Sequence, residues 1–557
     1  MKRLLVFFLS ALSYHFAFSS PPVVHLPEET LSFGTLNPEN LWDADEANTE
    51  NFWEKFKNTL SASEQQKIPP NSPQYDSYAS KYSNWYNKSV LNTKIKNFLE
   101  TLEMMKFPDI LALQEIESAG NTSTVFEIPY DSTSTFREKL AELGYKYIYL
   151  GEQDLGNPVS VTTAFISKFE LSVLPSIKVG EGTHSTSARD IQVVSLDLGE
   201  ERIVFFNNHW KSKRGGNEEV RLATAIEVAK RVEEEEKSEQ KTHVVILGDF
   251  NSGYHEKPLE ALGVYDGRPR ADSNEKYNLW FELDEKDRWE NIFAGVKETL
   301  TGIVISNSLL STSGLHYEEG SFQVVGQNGP EKNKLLDVTG VPYRWQVKFF
   351  YNFSDHIEQG YSDHLPLVAK LSYKKITKYK KRVKKISHPK KIYFQEIEPC
   401  KKETSIDLLS FKGSVDELDR KCVKIFSEKK ALPLLRTGKY SKNYVHLPLI
   451  RSSADTDLQL VLTMVGQYNW RPNIHDSRVS YKEAAIPEDV YDNDNWHPRS
   501  NKCFTRKVLQ GEGGRLVEAY GRAGYIEGDF SVSIASREDI VLTDLPAKKK
   551  NACPWDF

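Results

Sequence analysis

Cysteine is scarce in this chain of 557 residues: there are four, Cys400, Cys422, Cys503 and Cys553, all in the last third. No C-x-x-C pair occurs among them, which argues against a closed structural zinc site. Everything before Cys400 must hold together without a cross-link. Also missing, after the first residues, is any apolar run long enough to cross a bilayer, so no integral membrane segment is expected. Charge of one sign is lacking as well. A net charge of -6 is small for this length and excludes a surface built mainly to coat nucleic acid, although a local basic groove is compatible with it. There is no clear internal repeat and, outside one basic stretch, no low-complexity segment.

What is present reads as globular protein. The chain is 39% hydrophobic, 11% aromatic and 27% charged, well above the apolar content of disordered chains, and its length allows two or three domains. Lys2 and Arg3 precede the apolar run Leu4–Leu12, and Ala17 and Ser19 are small residues spaced for cleavage. Residues 1–19 therefore read as a signal peptide, and the mature protein is expected to be secreted or periplasmic. The run is short, and Tyr14 and His15 interrupt it, so it is a poor membrane span; no cysteine follows it to carry a lipid. In an exported chain four cysteines predict two disulfides, with three connectivities open.

Between about residues 30 and 373, short apolar runs alternate with amphipathic stretches. Strands are predicted at Leu31–Leu36, Ile110–Leu113, Val161–Ser167, Gln192–Leu196, Ile203–Asn207, His243–Leu247, Ile303–Ser306 and Leu367–Leu371. Two helices stand out. Over Ser89–Met105, Leu91, Ile95, Phe98, Leu99, Leu102 and Met105 recur at helical spacing, with Ser89 as a possible cap; over Glu218–Glu234, Leu222, Ala225, Ile226, Ala229 and Val232 do the same. Helices between strands predict a layered α/β domain over residues 22–373. Residues 374–391 then carry ten Lys or Arg and one Pro, which reads as a solvated linker or as a tether for a polyanion or cell surface. Residues 392–557, with runs such as Leu458–Met464 and Phe530–Ile534 and many Tyr and Trp, predict a smaller β-rich, disulfide-containing domain.

Five segments run an apolar strand straight into polar residues. They are Phe33 to Asn40, Ile110 to Glu115, Phe205 to His209, Val245 to Asn251, and the tetrapeptide Tyr361-Ser362-Asp363-His364. Carboxylates, amides and imidazoles just past the ends of buried strands stand at the rim of a sheet, where several strands can converge on one pocket. Oxygen ligands from Glu115, Asp363 and Asn37 suit Mg²⁺ or Mn²⁺ better than zinc, with Ca²⁺ as an optional structural ion. The imidazoles of His209 and His364 remain to donate hydrogen bonds to phosphate oxygens.

The ordered set Asn37, Gln114-Glu115, Asn207-Asn208-His209, Gly248-Asp249-Phe250-Asn251 and Ser362-Asp363-His364 resembles the endonuclease/exonuclease/phosphatase superfamily, which has the DNase I-like fold. The resemblance spans about residues 30–373 and no part of the basic stretch or the C-terminal domain. It implies a four-layer α/β sandwich, two packed β-sheets flanked by helices. It further implies Glu115 as the main metal ligand, with Asn37 and Asp363 completing the coordination. Asp249 would orient or deprotonate the attacking water and Asn251 would hold a phosphate oxygen. His209 and His364 would donate to the phosphoryl group, and Arg189 matches a phosphate-contacting arginine. Many members carry an Asp just before the strand Ile303–Ser306 that orients the final His; here Thr301 stands at that place. Threonine cannot stabilise an imidazolium as a carboxylate does. Another acid, such as Asp337 or Asp355, should take the role, or activity is tuned down. No residue near Val161 matches the phosphate-contacting Tyr or Glu of some members.

The superfamily includes DNases, repair nucleases, sphingomyelinases and inositol-phosphate phosphatases, so the fold does not choose the substrate. The run His209-Trp210-Lys211-Ser212-Lys213-Arg214-Gly215-Gly216 is similar to a segment of bacterial secreted nucleases. Lys211 and Lys213 could neutralise flanking phosphates, and Trp210 could pack against a sugar or base, unless it lies in the core. The sequence thus predicts a secreted, metal-dependent nuclease, an endonuclease acting on DNA or RNA. One rival is a lipid or small-molecule phosphoesterase, for which the aromatic segment Trp345–Phe353 is the candidate membrane-facing element. The other is a weakly catalytic binding or adhesion protein that works through its C-terminal domain.

Overall fold

Alternate side chains of the central strands face two different cores, and that alternation sets the layers. The computed structural model describes residues 23–24, 26, 29–41, 88–117, 125–151, 161–179, 189–213, 217–264, 269, 273–293, 296–311, 314–329, 332–337, 340–345, 360–373, 400–407, 411, 415–426, 444–448, 459–464, 515–526, 529–534 and 540–543. The signal-like residues 1–19 and the basic stretch 374–391 lie outside them.

In chain order the front half holds β1 (Thr30–Leu36), α1 (Lys88–Met104), β2 (Ile110–Glu117), α2 (Phe136–Glu142), β3 (Tyr147–Leu150), β4 (Val161–Ser167), β5 (Ser172–Ile177), β6 (Ile191–Asp197), β7 (Glu201–His209), α3 (Glu218–Glu236), β8 (Lys241–Asp249), α4 (Lys257–Ala261), β9 (Lys276–Asn278), β10 (Asn291–Phe293), β11 (Val296–Glu298), β12 (Thr301–Ser306), β13 (His316–Tyr317), β14 (Gln323–Val324), α5 (Lys332–Leu335) and β15 (Leu367–Ser372). One sheet runs β13-β15-β1-β2-β4-β3, with β14 also on β15; the second runs β5-β6-β7-β8-β12-β9.

On β7 and β8, Ile203, Phe205, Val245 and Leu247 point between the sheets and join Phe33, Leu113 and Phe165. Their neighbours Val204, Phe206, Val244 and Ile246 point the other way, onto Ala225, Val228 and Val232 of α3. Leu91, Ile95, Phe98 and Leu102 of α1 cover the first sheet. The period of two in the strands and the helical spacing in α1 and α3 thus give the four layers expected, helix, sheet, sheet, helix. Each fully buried Phe or Leu contributes roughly 1.5–3 kcal/mol, which is how this half does without disulfides. The predicted strands lie where expected, and three run longer: β2, β7 and β8 continue through Glu117, His209 and Asp249, so Glu115, His209 and Asp249 sit within strand ends rather than past them. The reason is pairing. In the parallel β7–β8 ladder Asn208 faces Gly248 and His209 faces Asp249, so polar side chains do not stop the backbone. Helix α1 begins at Lys88, which puts Ser89 inside the first turn.

The C-terminal segment holds a seven-stranded sheet, in which Cys422–Phe426 pairs antiparallel with Arg515–Ile526. Cys400 and Cys422 form a disulfide with Cα atoms 5.4 Å apart. The second predicted disulfide falls on Cys503 and Cys553, outside the described residues.

At the end of β7 and β8 away from the motifs, the fully buried His243 shares its Nδ1 with Ser308 Oγ at 2.9 Å, while its Nε2 lies 3.7 Å from Glu201 Oε1 and has no hydrogen-bond partner. Burial pushes this imidazole down to about 4, with Glu201 opposing and Lys241 assisting. Because the folded value lies below the unfolded one near 6.5, the unfolded chain binds the extra proton between the two. Stability is therefore complete above pH 6.5 and falls as pH drops towards 4, by on the order of 3 kcal/mol from this group. Urea unfolding at pH 7 and pH 4.5 tests this: the midpoint difference should shrink in His243→Phe relative to wild type, and an unchanged difference would refute the assignment.

Candidate active site

Three strand ends and two loops meet at one carboxylate. Asp249 closes β8, and its Oδ2 lies 3.8 Å from His209 Nε2, 3.8 Å from His364 Nε2 and 3.2 Å from Asn37 Nδ2. Its Oδ1 accepts the backbone N–H of Asn251 at 2.8 Å. Gly248 makes this approach possible. It has φ +126°, and a Cβ there would collide with the Asn208 carbonyl.

Glu115 arrives through a β-bulge. The β2–β4 register shifts between Leu113 and Ile116, and Glu115 takes a left-handed backbone, φ +52°. Asn251 is also left-handed, at φ +47°. Such conformations cost roughly 1–3 kcal/mol each and persist where neighbours over-determine them. Here the neighbours are visible: Glu115 Oε2 accepts Asn40 N at 3.0 Å, the Glu115 carbonyl accepts Leu41 N at 3.0 Å, and Oε1 faces His209 Nε2 at 3.8 Å. Beneath the site a buried polar ladder joins the sheets. Gln114 Nε2 donates to Asn207 Oδ1 at 2.8 Å, and Asn207 Nδ2 donates to the Leu113 and Ala164 carbonyls at 3.1 and 2.9 Å. Those two motif residues tie the floor together and do not face the pocket.

The ordered motifs are thus assembled at one end of both sheets. The family model described as "Endonuclease/Exonuclease/phosphatase family" matches residues 48–373, more than half of the chain. The chain belongs to that family. Among curated proteins none matches. Solved structures with likeness to it include truncated Caenorhabditis elegans TDP2, 14% identical with TM-score 0.35, covering 62% of this chain and 100% of that one. Another is D. rerio TDP2 complexed with single strand DNA product, 12% identical with TM-score 0.34, covering 62% and 99%. A third is the human Nocturnin catalytic domain with bound sulfate anion, 18% identical with TM-score 0.31, covering 51% and 87%. At these identities and scores they are similarities only.

Within this family member the two histidines have opposite electrostatics. His209 is pushed well below its ordinary value by burial, then by Arg189 and His364, which favours the neutral ring. Burial presses His364 the same way, but Glu290, Asp363 and Asp249 overcome it and hold the ring protonated well above the usual value. Asp249 and Glu115 are both raised, chiefly by burial, and Asp363 adds to the rise at Glu115. Burial also raises Asp363, yet Arg344 and His364 leave it below the usual carboxylate value.

Several expectations change. The carboxylate behind His364 is Glu290, not Asp337 or Asp355: its Oε2 lies 2.9 Å from His364 Nδ1, and its Oε1 accepts Thr301 N at 2.8 Å. Thr301 shares the task, its Oγ1 3.1 Å from the same nitrogen. Asp337 is spent on its own loop, accepting Val341 N at 3.4 Å, and Asp355 lies outside the described residues. Glu290 escaped notice because it precedes β10, eleven residues before Thr301, and follows the charged run Asp284–Arg288, where one more acid carries no signal.

Trp210 is not a stacking platform. It is 1% exposed, packs on Phe250 with ring centroids 4.9 Å apart, and donates from Nε1 to Asn208 Oδ1 at 2.9 Å. Lys213 is paired with Glu256 and Glu298 at 2.7 and 3.0 Å, so its charge is already neutralised. Lys211 is half-buried beside the site, and burial followed by Arg189 lowers its ammonium pKa. Arg189 reaches the carbonyl of Trp210 at 3.0 Å and feels the charges of Glu115 and Asp249. Asn37 uses its oxygen on Glu39 N at 3.0 Å and its amide on Asp249 and Glu115, so it orients both acids.

Lys94 was missed altogether. From α1 its buried ammonium donates to the carbonyls of Pro38, Glu39 and Tyr361 at 2.5, 2.7 and 3.4 Å, which clamps the Asn37 loop to the His364 loop. On the helix it reads only as one lysine among several.

Proposed function

We propose that this chain is an exported, divalent-cation-dependent phosphodiesterase that hydrolyses nucleic acid by direct attack of water. The observation that carries the reading is Asp249 Oδ2, set 3.8 Å from an imidazole nitrogen on either side; burial favours the neutral form of His209, and against burial the surrounding carboxylates favour the charged form of His364. Neighbouring groups with values pushed apart in this way divide the proton work of a hydrolysis.

The donor chemistry fits a hard cation. Among the described residues no three His, Cys, Asp or Glu side chains are gathered closely enough to hold an ion by themselves. Glu115 and Asp363, however, are carboxylates near enough for one to raise the other's pKa, and a cation would relieve that repulsion. Glu115 would hold it, with Asp363 adjusting, and when bound it would neutralise phosphate charge. Asp249, raised by burial, orients the attacking water and takes its proton. His364, charged and braced by Glu290, donates to a phosphoryl oxygen, and so does neutral His209 through Nε2. Asn251 and Arg189 hold the remaining oxygens.

Export is supported by Lys2, Arg3 and the apolar run Leu4–Leu12, and by the Cys400–Cys422 disulfide, which suits an oxidising compartment. Among the described residues no helix is long and apolar enough to cross a membrane. A small-molecule phosphoesterase is the second reading, favoured by the burial of Trp210 and the pairing of Lys213, which remove two of the described residues expected to contact a nucleic acid. Plasmid DNA, RNA, sphingomyelin and inositol phosphates incubated with Mg²⁺ or Mn²⁺, with and without chelator, separate the two. Cleavage of a nucleic acid alone supports the first reading; cleavage of only a small phosphate ester replaces it.

A further inference from the structure

The loop that carries Arg344 is held at both ends, and one end is gripped by the C-terminal unit. Arg420 precedes the Cys422–Phe426 strand. Its own backbone is fixed there: its N–H donates to the Ala523 carbonyl at 2.8 Å, and its carbonyl accepts Arg522 Nη1 at 3.0 Å. From that anchor its side chain crosses to the front half and donates from Nη2 to the Leu336 carbonyl at 2.7 Å. Leu336 bridges to Pro342, and Tyr343 N donates to the Leu335 carbonyl at 2.8 Å, which ties residues 335–336 to residues 342–343.

The other end of the loop meets the site twice. The Tyr343 carbonyl accepts Tyr361 N at 2.6 Å and Ser362 N at 3.2 Å, the residues that lead into Asp363 and His364. One residue on, Arg344 grips Glu39 through Nε at 3.0 Å and reaches Asp363 Oδ2 through Nη2 at 3.2 Å, while Trp345 N donates to Glu39 Oε2 at 3.0 Å. The Arg344 guanidinium is the largest influence opposing burial at Asp363.

We propose that the C-terminal unit is a positioning element of the active site: Arg420 braces the Leu335–Trp345 loop, and through it Arg344 aims the Asp363 carboxylate. Arg420 touches no reacting atom and is a positioning residue. The proposal rests on the phosphodiesterase reading for its kinetic consequence but not for its structural one.

The test uses the full chain, with Arg420→Ala, Arg420→Lys and, as a control on the same unit, Lys402→Ala, whose Nζ lies 5.3 Å from the Tyr520 ring. Amide hydrogen exchange, measured in chelator, should quicken at Tyr361–His364 in Arg420→Ala and stay at the wild-type rate in the control. On whichever substrate wild type cleaves, Arg420→Ala should lower kcat about three- to tenfold with little change in KM, and Arg420→Lys should recover part of it. Unchanged exchange and unchanged kcat in Arg420→Ala, beside an inactive Glu115→Ala, would overturn the brace and leave the catalytic reading intact. If wild type cleaves nothing, the catalytic reading fails, and the exchange result alone upholds or overturns the brace.

Discussion

Glu115→Ala is expected to lower phosphodiester hydrolysis by at least ~10³-fold while leaving the protein as stable as wild type, or more so. The two halves of this result have one cause. Glu115 is held at φ +52° in a bulge, and burial and Asp363 both oppose its charge. The hydrogen bonds it accepts from Asn40 N and the Asn37 amide are set against that burial and repulsion, so the carboxylate adds little net stability. Alanine gives up the bond from Asn40 N, removes the repulsion and the cost of burying the charge, and keeps the backbone bonds from Leu41 N to residue 115 and along β2. Activity measured beside a thermal melt tests both halves. A variant that loses activity only because its Tm collapses would contradict the account.

Glu290→Gln is expected to cost roughly 10²- to 10³-fold in kcat, again with the fold retained. Glutamine has the shape of glutamate and can still accept Thr301 N through Oε1. Facing His364 Nδ1 it offers an amide N–H, or an oxygen without charge, in place of the carboxylate at 2.9 Å. The imidazolium then loses the largest influence that keeps it protonated against burial. No water can substitute, because Glu290 is fully buried. Thr301→Ala removes only the weaker, uncharged partner and should cost far less. Steady-state kinetics on both variants decide between them, and an equal loss would mean that the brace is the threonine.

The layers were legible in the sequence because burial writes them there. The continuous apolar run Ile203–Phe206, buried on both faces, and the helical spacing in Ser89–Met105 follow directly from which side chains must leave water. Most of the motif residues were legible as well, since those after β1 and on β2, β7 and β8 are polar at the end of an apolar run; Asp363 and His364 instead lie ahead of β15. What could not be read was direction. Trp210 and Asn207 stand among motif residues, yet one faces the second core and the other the floor between the sheets, because a strand sends successive side chains to opposite faces. Lys213 reads as a phosphate contact until Glu256 and Glu298, far off in sequence, are seen to claim it. Glu290, Lys94 and Arg344 act across sequence gaps of 74, 267 and 305 residues in the hydrogen bonds that reveal them, and no local pattern marks such partners.

The central claim is that Asp249 and the groups around it hydrolyse a phosphodiester with a divalent cation. It is tested most directly by supercoiled plasmid incubated with the full chain and Mg²⁺ or Mn²⁺, beside chelator-treated protein and Asp249→Asn. Asparagine keeps the size of the side chain and can still meet Asn37, but it cannot take a proton from water. The account predicts nicking by wild type, none in chelator and none by Asp249→Asn. Nicking that survives chelation, or that Asp249→Asn performs at the wild-type rate, would contradict it.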